Sequence, residues 1–386
     1  MANDLTNIMH KILARGLQSV RERVLYTRLV NTDYSDEAAK KGSVVEVPVP
    51  TSVGVIDVTP SVTDPNPTAK TPGKVDIALN NWKQNEPFAL TDKEIGQIDK
   101  NEHFVPMYVQ ESIRSITRAI NQSVVAKYKG VYGYAGTAGT TPFASNVTGA
   151  TLARKVLNTQ LCPTGDRRFV LDHDAEANAL ALSQFSDLEK TGDRNVKIEG
   201  MMGRKFGFDF YADDDVPYHT AGTAITGGAT ITLISNSAVD ATSVTLKVAS
   251  GTATLVEGDI ISFAGHDQTY VVTADATLNT SGVAVSISPK LAQAVDGSST
   301  PVAVTGRDSH RVNLAFHRDA FALALRPLAR STITSKNADI AELSDPVTGL
   351  VLRLEVRRQH KQDAWEFDAL WGTELVRPEF ATRLAG

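Results

Sequence analysis

The chain has 386 residues, 42% hydrophobic and 22% charged, with a formal net charge of −5. No apolar run approaches the roughly 18 residues that cross a bilayer, so the sequence reads as a folded chain of more than one domain and excludes disordered, fibrous and helix-spanning membrane classes. A single cysteine, Cys162, excludes an internal disulfide or a multi-thiolate metal site, and the negative balance argues against wholesale attachment to nucleic acid.

Residues 1–41 form an N-terminal arm. Leu5, Ile8, Ile12, Leu17, Val20 and Val24 recur at three- to five-residue intervals, which predicts a helix from Asp4 to Val30 with Asp4 as N-cap. Its polar side carries Lys11, Arg15, Arg21, Arg23 and Arg28 against Glu22, and His10, Lys11 and Arg15 interrupt any signal-peptide core. A cytoplasm is the expected place of folding. A basic amphipathic arm of this kind must dock on its own fold or on a neighbour.

Residues 42–90 change to extended chain, with Val45, Val47 and Val49 alternating and seven of the 16 prolines falling between Pro48 and Pro87. Proline deletes a ladder donor, so these strands are confined to edges or to an isolated ribbon. The pattern predicts a long hairpin with its tip near Asp64-Pro65-Asn66-Pro67 and little core of its own. Residues 91–147 contain the strongest helical signal, from Pro106 to Lys129. There Val109, Ile113, Ile116, Ile120 and Val124 form one stripe, opposed by Glu111, Arg114, Arg118 and Gln122. This is a spine of about 35 Å, ended by the glycine-rich stretch from Gly130 to Gly136.

Residues 148–221 read as α+β, with a helix from Ala150 to Leu157, a strand at Arg168–Leu171, a helix beginning near Asp174 and a strand pair over Phe206–Tyr211. Residues 222–306 then thin to eight charged residues, six acidic and two basic, or −4 of the whole. Six short alternating runs, at Thr230–Ile234, Val244–Val248, Ile260–Phe263, Tyr270–Val272, Val283–Ile287 and Val302–Val304, predict a small all-β barrel or sandwich inserted into the host. Such a segment is expected to fold by itself and, being acidic, to face away from nucleic acid. Residues 307–386 return to the host with strands at Asn313–Phe316, Phe321–Leu325, Leu350–Arg357 and Trp365–Leu370, the last two paired across Gln359–Gln362, and a strand-like end at Leu375–Pro378.

Catalytic signatures are absent from the sequence: there is no H-E-x-x-H, nucleophile elbow, phosphate-binding loop or dinucleotide fingerprint. Cys162 reads as a passive thiol at a helix-to-strand turn. Asp172-His173-Asp174 reads as a helix cap by either aspartate rather than a metal triplet, and Asp213-Asp214-Asp215 as a solvated turn rather than a cation loop. Gly200, Gly203 and Gly207 read as a turn before a strand. Arg353, Arg357, Arg358 and Lys361 alternate with Glu355 and lack interleaved aromatics, which favours a solvated strand face or an inter-subunit salt-bridge surface over phosphate contact.

Arm, proline-studded hairpin, spine helix, α+β centre with an acidic β-insert and terminal hairpin form a distinctive order. With Val216–Gly222, Gly258–Gly265 and Asn313–His317, that order resembles the major capsid (coat) proteins of tailed bacteriophages, with the Hong-Kong-97-type fold, in the P-twenty-two-like branch that carries an inserted β-domain. The resemblance implies an α+β capsid fold with an inserted small all-β barrel. It also implies a non-enzymatic protein without cofactor or metal, which assembles in a bacterial host cytoplasm into hexamers and pentamers of an icosahedral head around double-stranded DNA. Inter-subunit contacts are then expected from Arg15, Arg21 and Arg23 on the arm, Asp64, Lys70 and Lys74 on the extended loop, and Arg353, Arg357 and Arg358 on the terminal hairpin. The expected partners are further copies, a scaffolding protein, a portal and decoration proteins, with DNA touched non-specifically and no membrane. Some members cross-link a loop lysine to an asparagine; Lys70 and Lys74 have no recognisable partner set, so none is expected here. The alternatives are a multidomain phage surface or tail-associated protein whose β-domain takes a receptor or glycan, and an encapsulin-like cellular shell.

Overall fold

A computed structural model describes residues 25–34, 44–50, 55, 58, 72–94, 107–186, 202–297, 302–326, 328, 338–344 and 351–386. The basic arm, apart from the turn of helix Tyr26–Leu29, and the ribbon tip with Asp64 and Lys70 lie outside the described residues. The chain divides into two compact units. One comprises Met1–Arg23, Thr32–Thr117 and Ala322–Val376, the other Val24–Asn31, Arg118–Phe321 and Arg377–Gly386.

In the first unit, Val44–Val49 pairs antiparallel with Gly73–Ala78, Val47 lying opposite Val75. Alternation sends Val45, Val47 and Ile77 inward, where they pack with Leu79, Ala322, Ala324 and Val376. Glu46, Lys74 and Asp76 face outward. The base of the ribbon is therefore held in a core that it shares with the segment Ala322–Val376 of the same unit. The ribbon also stops at Ala78 rather than Leu90. Asn81–Gln84 and Phe88–Thr91 instead both pair with the long strand Gln362–Leu375. Asn85 breaks the run between them, its Oδ1 accepting from Phe367 N at 2.6 Å and its own N–H donating to Phe367 O at 3.0 Å.

Gln362–Leu375 is the centre of this six-stranded sheet, between Val351–Gln359 and Phe321–Arg326, with Ala338–Ser344 at the far edge. The hairpin closes with Gln359 opposite Gln362, leaving His360 and Lys361 as a two-residue turn. Leu352, Leu354 and Val356 face inward with Phe367 and Trp365. The predicted spine is a helix over Met107–Val125 continued by a 3-10 turn to Gly130, and its whole stripe is buried: Val109, Ile113, Ile116, Ile120 and Val124.

The second unit has a mixed sheet in the order Gly133–Gly136, Ala381–Ala385, His310–His317, Arg167–Leu171, Phe208–Ala212, Arg204–Lys205. Helix Thr148–Thr159 packs over it through Ala150, Ala153 and Leu157, beside a cluster of Phe143, Phe169, Phe185, Phe208 and Phe210. The strand-like Leu375–Pro378 is corrected. The long strand ends at Leu375, Pro378 starts a 3-10 turn, and the true terminal strand is Ala381–Ala385, buried at every position.

Inserted in this unit is a closed barrel of all six predicted runs, in the order Ile231–Leu233, Ser243–Val248, Val283–Ser288, Tyr270–Val272, Ile260–Phe263, Val302–Gly306. Closure removes exposed edges. Leu233, Leu246, Leu255, Phe263, Tyr270 and Val272 fill it, and Ala253–Leu255 with Ala276–Leu278 adds a side ribbon that the alternation did not reveal.

Two outcomes test this packing. Ile120→Ala removes a fully buried side chain and should cost about 2–5 kcal/mol in denaturant unfolding. Leu161, with φ 58° and 87% exposed, occupies the left-handed position after helix Thr148–Thr159, where Cys162 N bonds Leu157 O and Leu161 N bonds Asn158 O. Leu161→Gly should raise stability by about 1 kcal/mol, read as a higher melting temperature.

Candidate functional site

Three clusters of polar side chains stand out, and the sequence analysis touched two of them. On the outer face of the first unit's sheet, Glu355 faces Glu366 directly across the ladder. Like charges so placed repel, and arginines flanking them supply the compensation. Arg353 bridges Asp368 through Nε at 2.9 Å and Nη2 at 2.5 Å, Arg357 bonds Glu366, and Arg358 reaches Asp92 at 2.5 Å and Asp363 at 2.9 Å. Burial opposes the Arg353 charge, but Asp368 outweighs it and holds its pKa above the ordinary value. The Arg358 hydrogen bond holds Asp92 below the usual carboxylate range. All three arginines thus have partners within their own chain. Beside them Trp82, 63% exposed, donates its Nε1–H to Asp368 Oδ2 at 3.2 Å. On the ribbon, Lys74 pairs with Glu46 at 2.8 Å and with Asp76 at 3.6 Å, a surface arrangement that contributes little stability.

In the second unit, Asp213-Asp214-Asp215 is not the solvated turn expected. Asp215 accepts from Arg118 Nε at 3.1 Å, Asn121 Nδ2 at 2.9 Å and Gln122 Nε2 at 3.2 Å, so one carboxylate gathers three polar side chains of the spine helix. Asp213 is buried, which pushes its pKa up. Asp214 meets His173 Nε2 at 2.5 Å, and Asp172 caps the following helix by accepting from Ala175 N at 3.2 Å. The cap choice left open between Asp172 and Asp174 is settled for Asp172. Cys162 is buried, and desolvation raises its thiol pKa although Arg167 pulls the other way; a resting thiolate is disfavoured. Among the described residues no group of His, Cys, Asp or Glu is placed to hold a metal ion.

The third cluster was missed. Where the barrel joins its host, Asp259 and Arg383 are both fully buried. Asp259 accepts from His219 Nε2 at 2.9 Å, from Gly222 N at 3.1 Å and from Val256 N at 2.8 Å. Arg383 donates to Gly258 O at 2.8 Å and Lys129 O at 3.0 Å and lies over the Tyr128 ring at 5.0 Å; burial lowers its pKa to about 10. Tyr128 OH meets His219 Nδ1 at 3.2 Å, so the imidazole links the phenol to the carboxylate. His310 packs at 5.6 Å from the His219 ring and 5.4 Å from Tyr134. The sequence signals were present in pieces, since Val216–Gly222 and Gly258–Gly265 had been singled out. Nothing in them shows that residues 129, 219, 259, 310 and 383 meet.

Gly222 is required by this hub: a Cβ there would lie 2.2 Å from Thr254 O. Gly222→Ala should therefore lower stability by about 1–3 kcal/mol. Gly165→Ala, where a Cβ meets nothing within 4 Å, should be neutral or slightly stabilising. Differential scanning calorimetry on the two variants checks the contrast.

Comparison with solved structures finds chains of similar trace at low identity. A protein of Mycobacterium phage Che8 aligns with a TM-score of 0.48 and 13% identity over 94% of this chain and 91% of its own. The capsid of cyanophage P-SCSP1u aligns at 0.43 and 11% over 89% and 84%. The virus-like particle from Pyrococcus furiosus aligns at 0.44 and 9% over 97% and 98%. No family model and no curated protein matches the sequence.

Proposed function

We propose that this chain is a structural shell protein, a major capsid protein of the tailed-phage type, which builds hexamers and pentamers of an icosahedral head around double-stranded DNA. The observation that carries the reading is the ribbon. Its base is held in the first unit's core by Val45, Val47 and Ile77, yet the aliphatic residues beyond that base, Val55 and Val58, are 99% and 92% exposed. Exposed aliphatic side chains call for cover from elsewhere, and further copies of the same chain supply it in a closed shell through head-to-tail contacts. Trp82 in the same unit adds a large exposed ring. The closed barrel inserted in the second unit supports the finer assignment to the P-twenty-two-like branch. On this reading the protein resides in the virion capsid, and a scaffolding protein, a portal and decoration proteins are its further partners. Arg15, Arg21, Arg23, Asp64, Lys70 and Lys74 are proposed contacts between copies, whereas Arg353, Arg357 and Arg358 act first within the chain.

Replacing Thr63–Pro72 with a short Gly-Ser turn spares the buried base. It should leave the melting temperature of the unassembled chain unchanged while abolishing or weakening shells seen by sedimentation and negative-stain imaging. A large loss of thermal stability would place the segment in the fold instead. Monomers alone from the unaltered chain, with a scaffolding partner supplied, would overturn the shell reading.

A further inference from the structure

We propose that the buried polar hub is an acid-sensitive hinge, which fixes the barrel on its host sheet near neutral pH and releases it as pH falls while the barrel core stays closed. Both chain connections to the barrel pass through the hub. Tyr218–His219 leads in and pairs with His310–Arg311 leading out, and Gly222 N is held by Asp259. Releasing these contacts loosens the barrel's attachment without opening the ladder of its six strands, leaving the bond from Thr269 Oγ1 to Tyr132 O at 2.7 Å and the packing of Tyr132 on Ile260 and Val271 as the pivot.

His310 is the vulnerable member. Its side chain is fully buried, and Nδ1 lies 2.7 Å from the Asp308 carbonyl oxygen, so Nδ1 carries the hydrogen. Nε2 is then a bare lone pair, and it has no hydrogen-bond partner. A proton added there creates a donor with no acceptor and a second cation beside Arg383. The groups facing His310 are His219, Tyr134, Arg383 and Asp259, with Arg307 over the outer face of Tyr134 at 5.4 Å. Asp259 is the natural counter-charge, but both of its oxygens are already occupied by His219, Gly222 and Val256. Burial accordingly lowers the His310 pKa to about 4, with Arg383 and His219 adding to the effect and the Asp308 carbonyl opposing it. The folded value lies below the ordinary one, so the unfolded or opened state binds the proton first. Stability is whole above about pH 6.5 and declines by up to tenfold per pH unit between about 6.5 and 4. The barrel interior is apolar, with Tyr270 bonded to Ala292 N at 3.1 Å and His266 at 3.0 Å.

Hydrogen-exchange mass spectrometry on the full, unassembled chain at pH 7 and pH 5, corrected for intrinsic exchange, tests this independently of the shell reading, because no assembly is needed. Residues 218–222, 256–259 and 307–310 should lose protection by about 20-fold, while 244–248 and 283–287 in the barrel ladder keep theirs. His310→Asn keeps a donor toward the Asp308 carbonyl and cannot titrate, and its response should fall below about threefold. Unchanged hub protection, loosening of the barrel core in step with the hub, or an equal acid response in His310→Asn would each overturn the proposal. If that variant does not fold, nitrogen-15 titration of the unaltered chain decides. A His310 that stays neutral below pH 5 and charges as the hub opens supports the hinge, and ordinary titration near pH 6.5 excludes it.

Discussion

Burying a guanidinium and a carboxylate out of water costs several kcal/mol per ion unless each is fully hydrogen-bonded, and that requirement organises the second unit. Arg383 and Asp259 do not bond each other directly. Main-chain groups supply most of the hydrogen bonds, at Lys129 and Gly258 for the cation and at Gly222 and Val256 for the anion, and Arg383 Nε is left without a partner. Those groups come from the end of the spine, the barrel and the connection leading into it, with the arginine itself on the last strand. The hydrogen bonds of neither ion are complete until these segments meet. An insertion that could have hung from two loose connections is thereby fixed on its host.

The first unit solves its electrostatic problem in the opposite way. Arg353 and Arg357 lie on the outer sheet face, paired with Asp368 and Glu366, and Arg358 at the hairpin end pairs with Asp92 and Asp363. Arg357 and Arg358 are half-exposed, so their pairs are individually weak, whereas Arg353 and Asp368 are largely buried. Their collective effect is on register, because a slip by one residue would send Leu352, Leu354 and Val356 to solvent and Arg353 and Arg357 into the core.

Elements whose information is local were legible. The spine stripe, the six barrel runs and the terminal hairpin each announce themselves by periodicity over a few residues, and each is found within a few residues of its expected span. What failed was non-local. Asn81–Gln84 and Phe88–Thr91 look like a continuation of the ribbon, and only the distant strand Gln362–Leu375 decides otherwise. Ala381–Ala385 contains alanine, threonine and arginine, a poor strand signature, yet it is buried throughout because it lies between Gly133–Gly136 and His310–His317. The hub failed for the same reason. His219, Asp259, His310 and Arg383 are isolated polar residues in sequence, and their chemistry exists only once the fold brings them together.

The choice of a polar seam beneath the barrel has a physical consequence that an apolar seam would lack. Hydrophobic contact is non-directional and tolerates sliding or rotation at little cost, whereas donors and acceptors in fixed geometry reject other registers by leaving a buried group unsatisfied. Burial of Arg383 and Asp259 therefore selects one orientation of the barrel, even where aliphatic replacements would match it in stability. In a protein that repeats its contacts around rings, a small error in the placement of one domain recurs in every copy. On the shell reading, directional contacts at the root of the barrel limit that error before assembly begins, and the ribbon, whose free aliphatic residues carry no such directionality, is left to adapt to the neighbour it meets.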